Sequence, residues 1–399
     1  MIKREQYLNE LIKIKDKQVI KVITGIRRCG KSTLLEMFQD HLMQSGVSAE
    51  QITYINFEDM DYAFLDNAQK LNDYVVKKLI KNKMNYVILD EIQRVDEFQK
   101  AVDSLHIKKN TDIYITGSNA QLLSGELATL LSGRYMEIEM LPLSFKEYVE
   151  FTGDINDLAR KYRDYITFSS FPFPAMHLEK DQDLVRNYLS GIYNTVVLKD
   201  VVARNNISNV MMLESVIRFV FDNVGNLLST KKIADTMTSY GRKISTHTVE
   251  SYLSALLESY IIYRAKRYDV KGKQHLKTND KYYAADIGLR RLLLGSKSDD
   301  TGFILENIIY LELIRRGYLV YVGKVGTKEI DFVAQKGDVT EYYQVSLTVR
   351  DATKLKTELA SFDLVNDHNQ KFLITMDDDP PVNHNGIRQI TALDFLLNP

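Results

Sequence analysis

Apolar positions over the first 140 residues fall into short runs separated by stretches of helical spacing. Tyr7, Leu8, Leu11, Ile12 and Ile14 share roughly one helical face over residues 5–14, and residues 19–24 then form a short apolar strand. Helical periodicity returns over 31–43 and is expected over 121–131, while 52–57, 86–89, 113–116 and 135–140 are further short apolar runs. Strands alternating with helices predict a parallel sheet covered on both faces, an α/β fold.

Beyond Pro142 the pattern changes. The sequence becomes helix-rich, and FPFP at 171–174 predicts a break, because proline is hostile to a helix interior and to a central strand. Helices are expected from 211, followed by a Tyr-, Arg- and Lys-rich stretch of β character. A helix at 303–316 then opens a last segment, with strands at 319–322, 329–334 and 341–347. The expected domains are a parallel-sheet domain over 1–150, a helical connector or lid over 151–210, a helix-turn-helix segment over 211–290 and a small α/β domain over 300–399.

Composition changes this picture only by exclusion. A chain of 399 residues with 45% apolar and 26% charged residues can bury two or three cores. Its net charge of −1 creates no global field toward nucleic acid or anionic membrane, so such a partner must be held by a local patch. The single cysteine, Cys29, excludes a disulfide framework and a cysteine-based zinc site. Seven histidines are scattered without metal-ligand spacing. The charged opening MIKREQYLNELIKIKDK lacks the apolar core of a signal peptide, and no run approaches the ~18 apolar residues that span a bilayer. A cytoplasmic protein with no membrane partner is expected.

The sharpest chemistry lies at Gly25-Ile26-Arg27-Arg28-Cys29-Gly30-Lys31-Ser32, which fits G-x-x-x-x-G-K-[ST] between an expected strand and an expected helix. Glycines let the backbone curl so that successive amides face phosphate oxygens, and the positive helix end supports the same charge. Residues Gly25 to Thr33 are the candidate nucleotide contacts. Lys31 would reach the β and γ phosphates, and the Ser32 hydroxyl would ligate Mg²⁺.

The strand at 86–89 runs into Asp90 and Glu91. Asp90 is the second candidate Mg²⁺ ligand, and Glu91 the candidate base for an attacking water. Ser118 and Asn119 end another strand. Asn119 is the first candidate for sensing the γ phosphate or holding the water, and plain turn or capping roles stay open for both. Arg134 stands between a helix and a strand, either as a finger reaching a neighbouring subunit's phosphates or as a surface ion pair.

The chain resembles the AAA-type ATPases, and among them a bacterial and archaeal family that joins such a core to a C-terminal region of unassigned function. The resemblance is carried by ITGIRRCGKST (23–33), ILDEIQ (88–93), TGSNAQLLSGELATLLSGR (116–134) and PLSFKEY (142–148). It continues through KYYAADIGLR (281–290), LENIIYLELIRRGY (305–318), EIDFVA (329–334) and YQVS (343–346). It implies ATP as the nucleotide and favours Arg134 as a finger in a homo-oligomer, with a nucleotide-dependent ring as one form of that assembly.

Residues 228–283 look like a winged helix-turn-helix, with helices at 229–238 and 245–257 and a wing at 261–283. Residues 229–283 carry eleven Lys and Arg against five Asp and Glu, a local charge of +6. Arg242, Lys243, His247, Arg264, Lys266 and Arg267 are candidate contacts for double-stranded DNA, and a lid or protein-contact role stays open. Glu306, Asp331 and Gln344-Val345-Ser346 resemble the PD-(D/E)-x-K nuclease scaffold. Gln344 and Ser346 lack the carboxylate and lysine of that pattern, so an inactive domain is expected. Lys354 or Lys356 on the following helix could replace the lysine. The function expected is Mg²⁺-dependent ATP hydrolysis coupled to movement of these modules, with a nucleotide-gated DNA-binding regulator and an ATP-dependent defence nuclease as alternatives.

Overall fold

The computed structural model describes residues 2–120, 133–153, 157–177, 181–276, 279–295 and 301–398. The helix expected over 121–131 lies outside them. The chain divides into two compact units, one made of Met1–Pro142 with Glu258–Tyr260 and the other of Leu143–Leu257 with Ile261–Pro399.

The first unit contains helices α1 (Glu5–Ile14), α2 (Lys31–Gln44), α3 (Ala68–Lys78) and α4 (Phe98–His106). Its strands are β1 (Ile20–Thr24), β2 (Ile52–Asn56), β3 (Asn85–Asp90), β4 (Thr111–Thr116) and β5 (Tyr135–Glu139). They pair in the order β2-β3-β4-β1-β5, and every pairing is parallel. The three inner strands are buried at every position, whereas the edge strands β2 and β5 are not. The parallel sheet expected from the apolar runs is present, with strand ends moved by one or two residues.

Charge inside β1 is balanced locally. Lys21 and Asp112 pair across β1 and β4 with both side chains buried, and the Tyr114 hydroxyl donates to Asp112 at 2.7 Å. Helix α1 buries Tyr7, Leu11 and Ile14, the spacing that predicted it. Each such side chain contributes roughly 1.5–3 kcal/mol of burial.

The second unit begins with α5 (Phe145–Thr152), whose start is set by a reciprocal capping box between Ser144 and Glu147. Then come α6 (Leu158–Phe168), α7 (Pro172–His177), α8 (Gln182–Thr195) and α9 (Val210–Asp222), with a π-helical stretch at Val196–Ala203. The FPFP run breaks the chain as expected but also starts a helix. Pro172 and Pro174 occupy the first turn of α7, where a missing N–H costs nothing.

Strand β6 (Leu227–Leu228), α10 (Thr230–Ser239), α11 (Thr246–Glu258), β7 (Ile262–Asp269), β8 (Gln274–His275), β9 (Asp280–Ala284) and α12 (Ile287–Leu294) follow. Next are α13 (Thr301–Arg315), β10 (Leu319–Val325), β11 (Lys328–Lys336), β12 (Val339–Ser346), α14 (Ala352–Leu359), β13 (Gln370–Thr375), β14 (Val382–His384), β15 (Ile387–Thr391) and α15 (Ala392–Leu397). These strands form one ten-stranded sheet, ordered β14-β15-β13-β12-β11-β10-β7-β9-β6 with β8 beside β7. Strand β7 therefore pairs antiparallel with β9 on one side and parallel with β10 on the other. Asp286, buried at the start of α12, accepts from the Leu289 amide at 2.8 Å and the Ser170 amide at 2.7 Å, which ties α12 to the turn before α7.

Candidate nucleotide site

The carboxyl ends of β1, β3 and β4 lie side by side, because these strands are neighbours in a parallel sheet. Open parallel sheets bind ligands at this edge. The loop after β1 leads directly into α2, so the candidate phosphate ligands and the helix N-terminus share one origin.

Gly25 and Gly30 have φ of 134° and 105°, which L side chains rarely adopt. A Cβ on Gly25 would lie 2.1 Å from the Met140 carbonyl oxygen, so the loop fits against the end of β5 only with glycine there. Ile26 and Cys29 anchor the loop with fully buried side chains, Arg27 is half-buried, and Arg28 is exposed. Burial pushes the Cys29 thiol above its ordinary value, so it stays a neutral packing group. The Lys31 ammonium folds back onto its own loop, donating to the Gly25 carbonyl at 3.0 Å and the Ile26 carbonyl at 3.3 Å. Arg27 approaches Glu58 at 3.9 Å, and Arg94 pairs with the same carboxylate at 3.0 Å.

Asp90 is fully buried at the end of β3. Thr116 at the end of β4 donates its hydroxyl to Asp90 Oδ1, and Tyr54 donates to Oδ2 at 3.3 Å. Burial pushes the Asp90 carboxyl above its ordinary value, and hydrogen bonds from Ser32 and Thr116 pull the other way. The Ser32 contact joins the two candidate metal ligands across the strand–helix gap. Glu91 takes a left-handed backbone conformation, φ 56°, with its amide donating to Thr116 Oγ1 at 2.9 Å. Its carboxylate accepts from Gln93 and, at 3.4 Å, from Ser118. Lys31, Ser32, Asp90, Glu91 and Ser118 are thus brought together, and Asn119 is buried next to Ser118.

Arg134 is not part of this constellation. It precedes β5 at the amino end of the sheet, where its carbonyl accepts from the Ile20 amide at 2.8 Å. Its half-exposed side chain pairs with Asp103 on α4 at 3.0 Å. The five-residue length of β1 separates it from its own phosphate loop by roughly 16 Å.

Two contributors carried no sequence signal that the motifs could use. Arg4 is buried behind the loop and donates to the Cys29 carbonyl at 2.8 Å and the Leu141 carbonyl at 2.7 Å. Thr116 was visible only as the residue ending a strand, yet its hydroxyl bridges Asp90 and the Glu91 backbone.

In the second unit, Glu306 on α13 and Asp331 on β11 come together with Glu329 around Lys281 of β9, a residue the sequence patterns did not single out. Burial opposes the Lys281 charge, but Glu306, Asp331 and Glu329 outweigh it and hold the ammonium well above its ordinary pKa. Burial and the Glu306 charge push the Asp331 carboxyl above its ordinary range, while the Lys281 ammonium pulls it back down. Gln344 donates to Glu358 at 3.0 Å, and Ser346 to the Thr348 carbonyl at 3.3 Å. Lys354 pairs with Glu358 at 2.7 Å. Among the described residues, no group of three or more His, Cys, Asp or Glu is arranged to hold a metal ion.

Arg242, Lys243 and His247 are exposed around the start of α11. On β7, Arg264 and Lys266 are exposed with buried Ala265 between them, whereas Arg267 alternates to the other face and is only partly exposed. Arg264 lies 3.9 Å from Asp280. No helix among the described residues is long and apolar enough to cross a membrane.

Residues 17–149 match the family described as an AAA domain, and residues 159–300 match a domain of unknown function. An uncharacterized protein of Haemophilus influenzae is 43% identical over 402 residues, covering 100% of this chain and 99% of that one. An uncharacterized protein of Methanocaldococcus jannaschii is 32% identical over 417 residues, covering 98% and 89%. Among solved structures, a Walker-type ATPase of Pyrococcus abyssi aligns at 17% identity over 73% of this chain and 96% of that chain, with a TM-score of 0.47. With a P-loop sheet built as described and relatives matched along their length, this chain belongs to the AAA-domain protein family that includes the Haemophilus and Methanocaldococcus chains.

Proposed function

We propose that this protein binds and hydrolyses ATP with Mg²⁺, and that nucleotide state repositions the parts of the chain beyond the parallel sheet. The observation that carries this reading is the convergence of Lys31, Ser32, Asp90 and Glu91 at one sheet edge. Ser32 and Asp90 offer the hard oxygen donors that Mg²⁺ takes, and when bound the ion would neutralise charge on the β and γ phosphates. Lys31 exchanges its loop carbonyls for phosphate oxygens, Glu91 takes the proton of the attacking water, and Ser118 or Asn119 orients that water. Because Arg134 lies at the far edge of its own sheet, it can act on phosphate only in a neighbouring copy.

Phosphate release from ATP tests the whole assignment. Wild type is expected to turn over ATP with Mg²⁺ and to gain rate per chain as protein concentration rises, and Lys31→Ala is expected to lose turnover. Equal rates for the two proteins would remove the hydrolysis assignment. A concentration-independent rate would remove the role of Arg134.

A second reading, a nucleotide-gated DNA-binding regulator with little turnover, is favoured by the exposed basic residues of α11 and β7. In it the segment from β6 to β9 acts as a winged helix on duplex DNA. Changing Arg264 and Lys266 to Glu is expected to weaken duplex binding uniformly across sequences and to reduce its salt slope by about 2, roughly one per lost cation. Unchanged affinity and slope in a salt titration would exclude this face.

A further inference from the structure

The carboxylates of the second unit that a divalent cation would be expected to gather are gathered around a lysine. Lys281 Nζ lies 2.9 Å from Glu306 Oε1, 2.7 Å from Glu329 Oε1 and 3.6 Å from Asp331 Oδ1. The ammonium donates to Glu306 and Glu329, and Asp331 lies at ion-pair distance, beyond a direct hydrogen bond. Those carboxylates come from a helix, α13, and from β11, while the lysine comes from β9, so one cation ties three elements together.

The neighbours complete the same arrangement. Tyr283, two residues along β9, donates its hydroxyl to Glu306 Oε1 at 2.7 Å, and the Val345 amide donates to Asp331 Oδ2 at 2.9 Å. Gln344 brings no charge and turns its amide nitrogen to Glu358. Lys354, the alternative source of a cation, is held by Glu358 on its own helix. Exposure decides what the lysine can do. Lys281 is 3% exposed and Glu306 and Asp331 are each 8% exposed, so a phosphodiester cannot reach the ammonium.

We propose that the Lys281 ammonium is the resident cation of this centre, standing where a divalent metal would otherwise be held by Glu306, Glu329 and Asp331. The centre locks α13 to β9 and β11, takes up neither Mg²⁺ nor Mn²⁺, and cleaves no phosphodiester. Two buried carboxylates, Glu306 and Asp331, beside the partly exposed Glu329 and without a counter-cation would be strongly destabilising. With the lysine in place these carboxylates are not arranged around a metal; removing it leaves uncompensated negative charge on oxygen ligands, of the kind a hard divalent cation takes up. This inference is independent of the ATP reading, because it concerns residues of the other unit.

Mn²⁺ binding to the full chain, followed by the loss of the free-ion spin-resonance signal, tests it. Ser32→Ala with Asp90→Asn silences the candidate nucleotide site and serves as the background. That background protein is expected to leave Mn²⁺ free. Adding Lys281→Met, similar in length and uncharged, is expected to give one bound Mn²⁺ per chain, weakened by about 10-fold or more when Asp331→Asn is also present. Mn²⁺ bound by the background protein and lost with Asp331→Asn would overturn the proposal, and so would a folded Lys281→Met protein that binds none. Should Lys281→Met unfold in metal-free buffer, Mn²⁺ is expected to restore its far-ultraviolet circular dichroism and melting transition. Failure of that rescue, with Lys281→Met/Glu329→Gln folded and also without Mn²⁺, counts against it.

Discussion

Glu91→Gln is expected to lower ATP turnover by about 10² to 10⁴ while nucleotide affinity stays within a few-fold of wild type. The substitution keeps the size and planar shape of the side chain but removes its basicity. Its amide still donates to Thr116 Oγ1, because that bond is made by the backbone and not by the carboxylate. The strained left-handed conformation at this position is likewise held by the neighbouring strand ends. Binding depends on the loop after β1 and on Lys31, which the change does not touch. Single-turnover phosphate release measured beside equilibrium binding of an ATP analogue separates the two effects. Equal release rates would show that the proton of the attacking water goes elsewhere, and a parallel loss of binding would show that Glu91 is structural.

Gly25→Ala is expected to abolish nucleotide binding and to destabilise the first unit by roughly 2–6 kcal/mol. Two costs add. A φ of 134° is foreign to alanine, and the new Cβ would meet the Met140 carbonyl oxygen at 2.1 Å. That atom is backbone at the end of β5, hydrogen-bonded nearby through the Met140 amide to the Thr24 carbonyl at 2.9 Å, so it cannot swing aside as a side chain would. The strain falls on the junction between β1 and the loop whose amides would face phosphate. Urea unfolding together with analogue binding checks both parts. An unchanged midpoint with normal binding would mean that the loop closes against β5 differently from the arrangement described.

Much of the first unit was legible from local pattern. The apolar runs gave strands because a sheet buried on both faces demands continuous hydrophobicity, and only its partly exposed edge strands β2 and β5 depart from it. The loop from Gly25 to Ser32 and the pair Asp90-Glu91 were visible as candidates because the chemistry proposed for them needs fixed spacing next to a strand. Arg4 and Thr116 were not visible, since one acts across 25 residues of chain on Cys29 and the other across 26 on Asp90. The FPFP run was half legible. It signalled a break, but whether proline ends one helix or begins the next depends on which turn it occupies.

The second unit divides the same way. Helices α10 and α11 and the strands after them fall where residues 228–283 look like a winged helix-turn-helix, and Glu306, Asp331, Gln344 and Ser346 followed from resemblance. Lys281 opens a matched segment but drew no role, because a lysine inside a strand reads as a solvent-facing residue until its partners are known. Its three carboxylates lie 25, 48 and 50 positions away in sequence. By itself, the sequence determined the glycine-rich loop after β1, the strand that ends at Asp90, and the alternation of elements that makes a parallel sheet, all of which depend on interactions between near neighbours. Tertiary structure alone decided that Arg134 stands at the opposite edge from its own phosphate loop and that a buried ammonium fills the carboxylate centre. Both depend on strand order and on the balance of charge in a buried space, which are set by contacts between residues far apart in the chain.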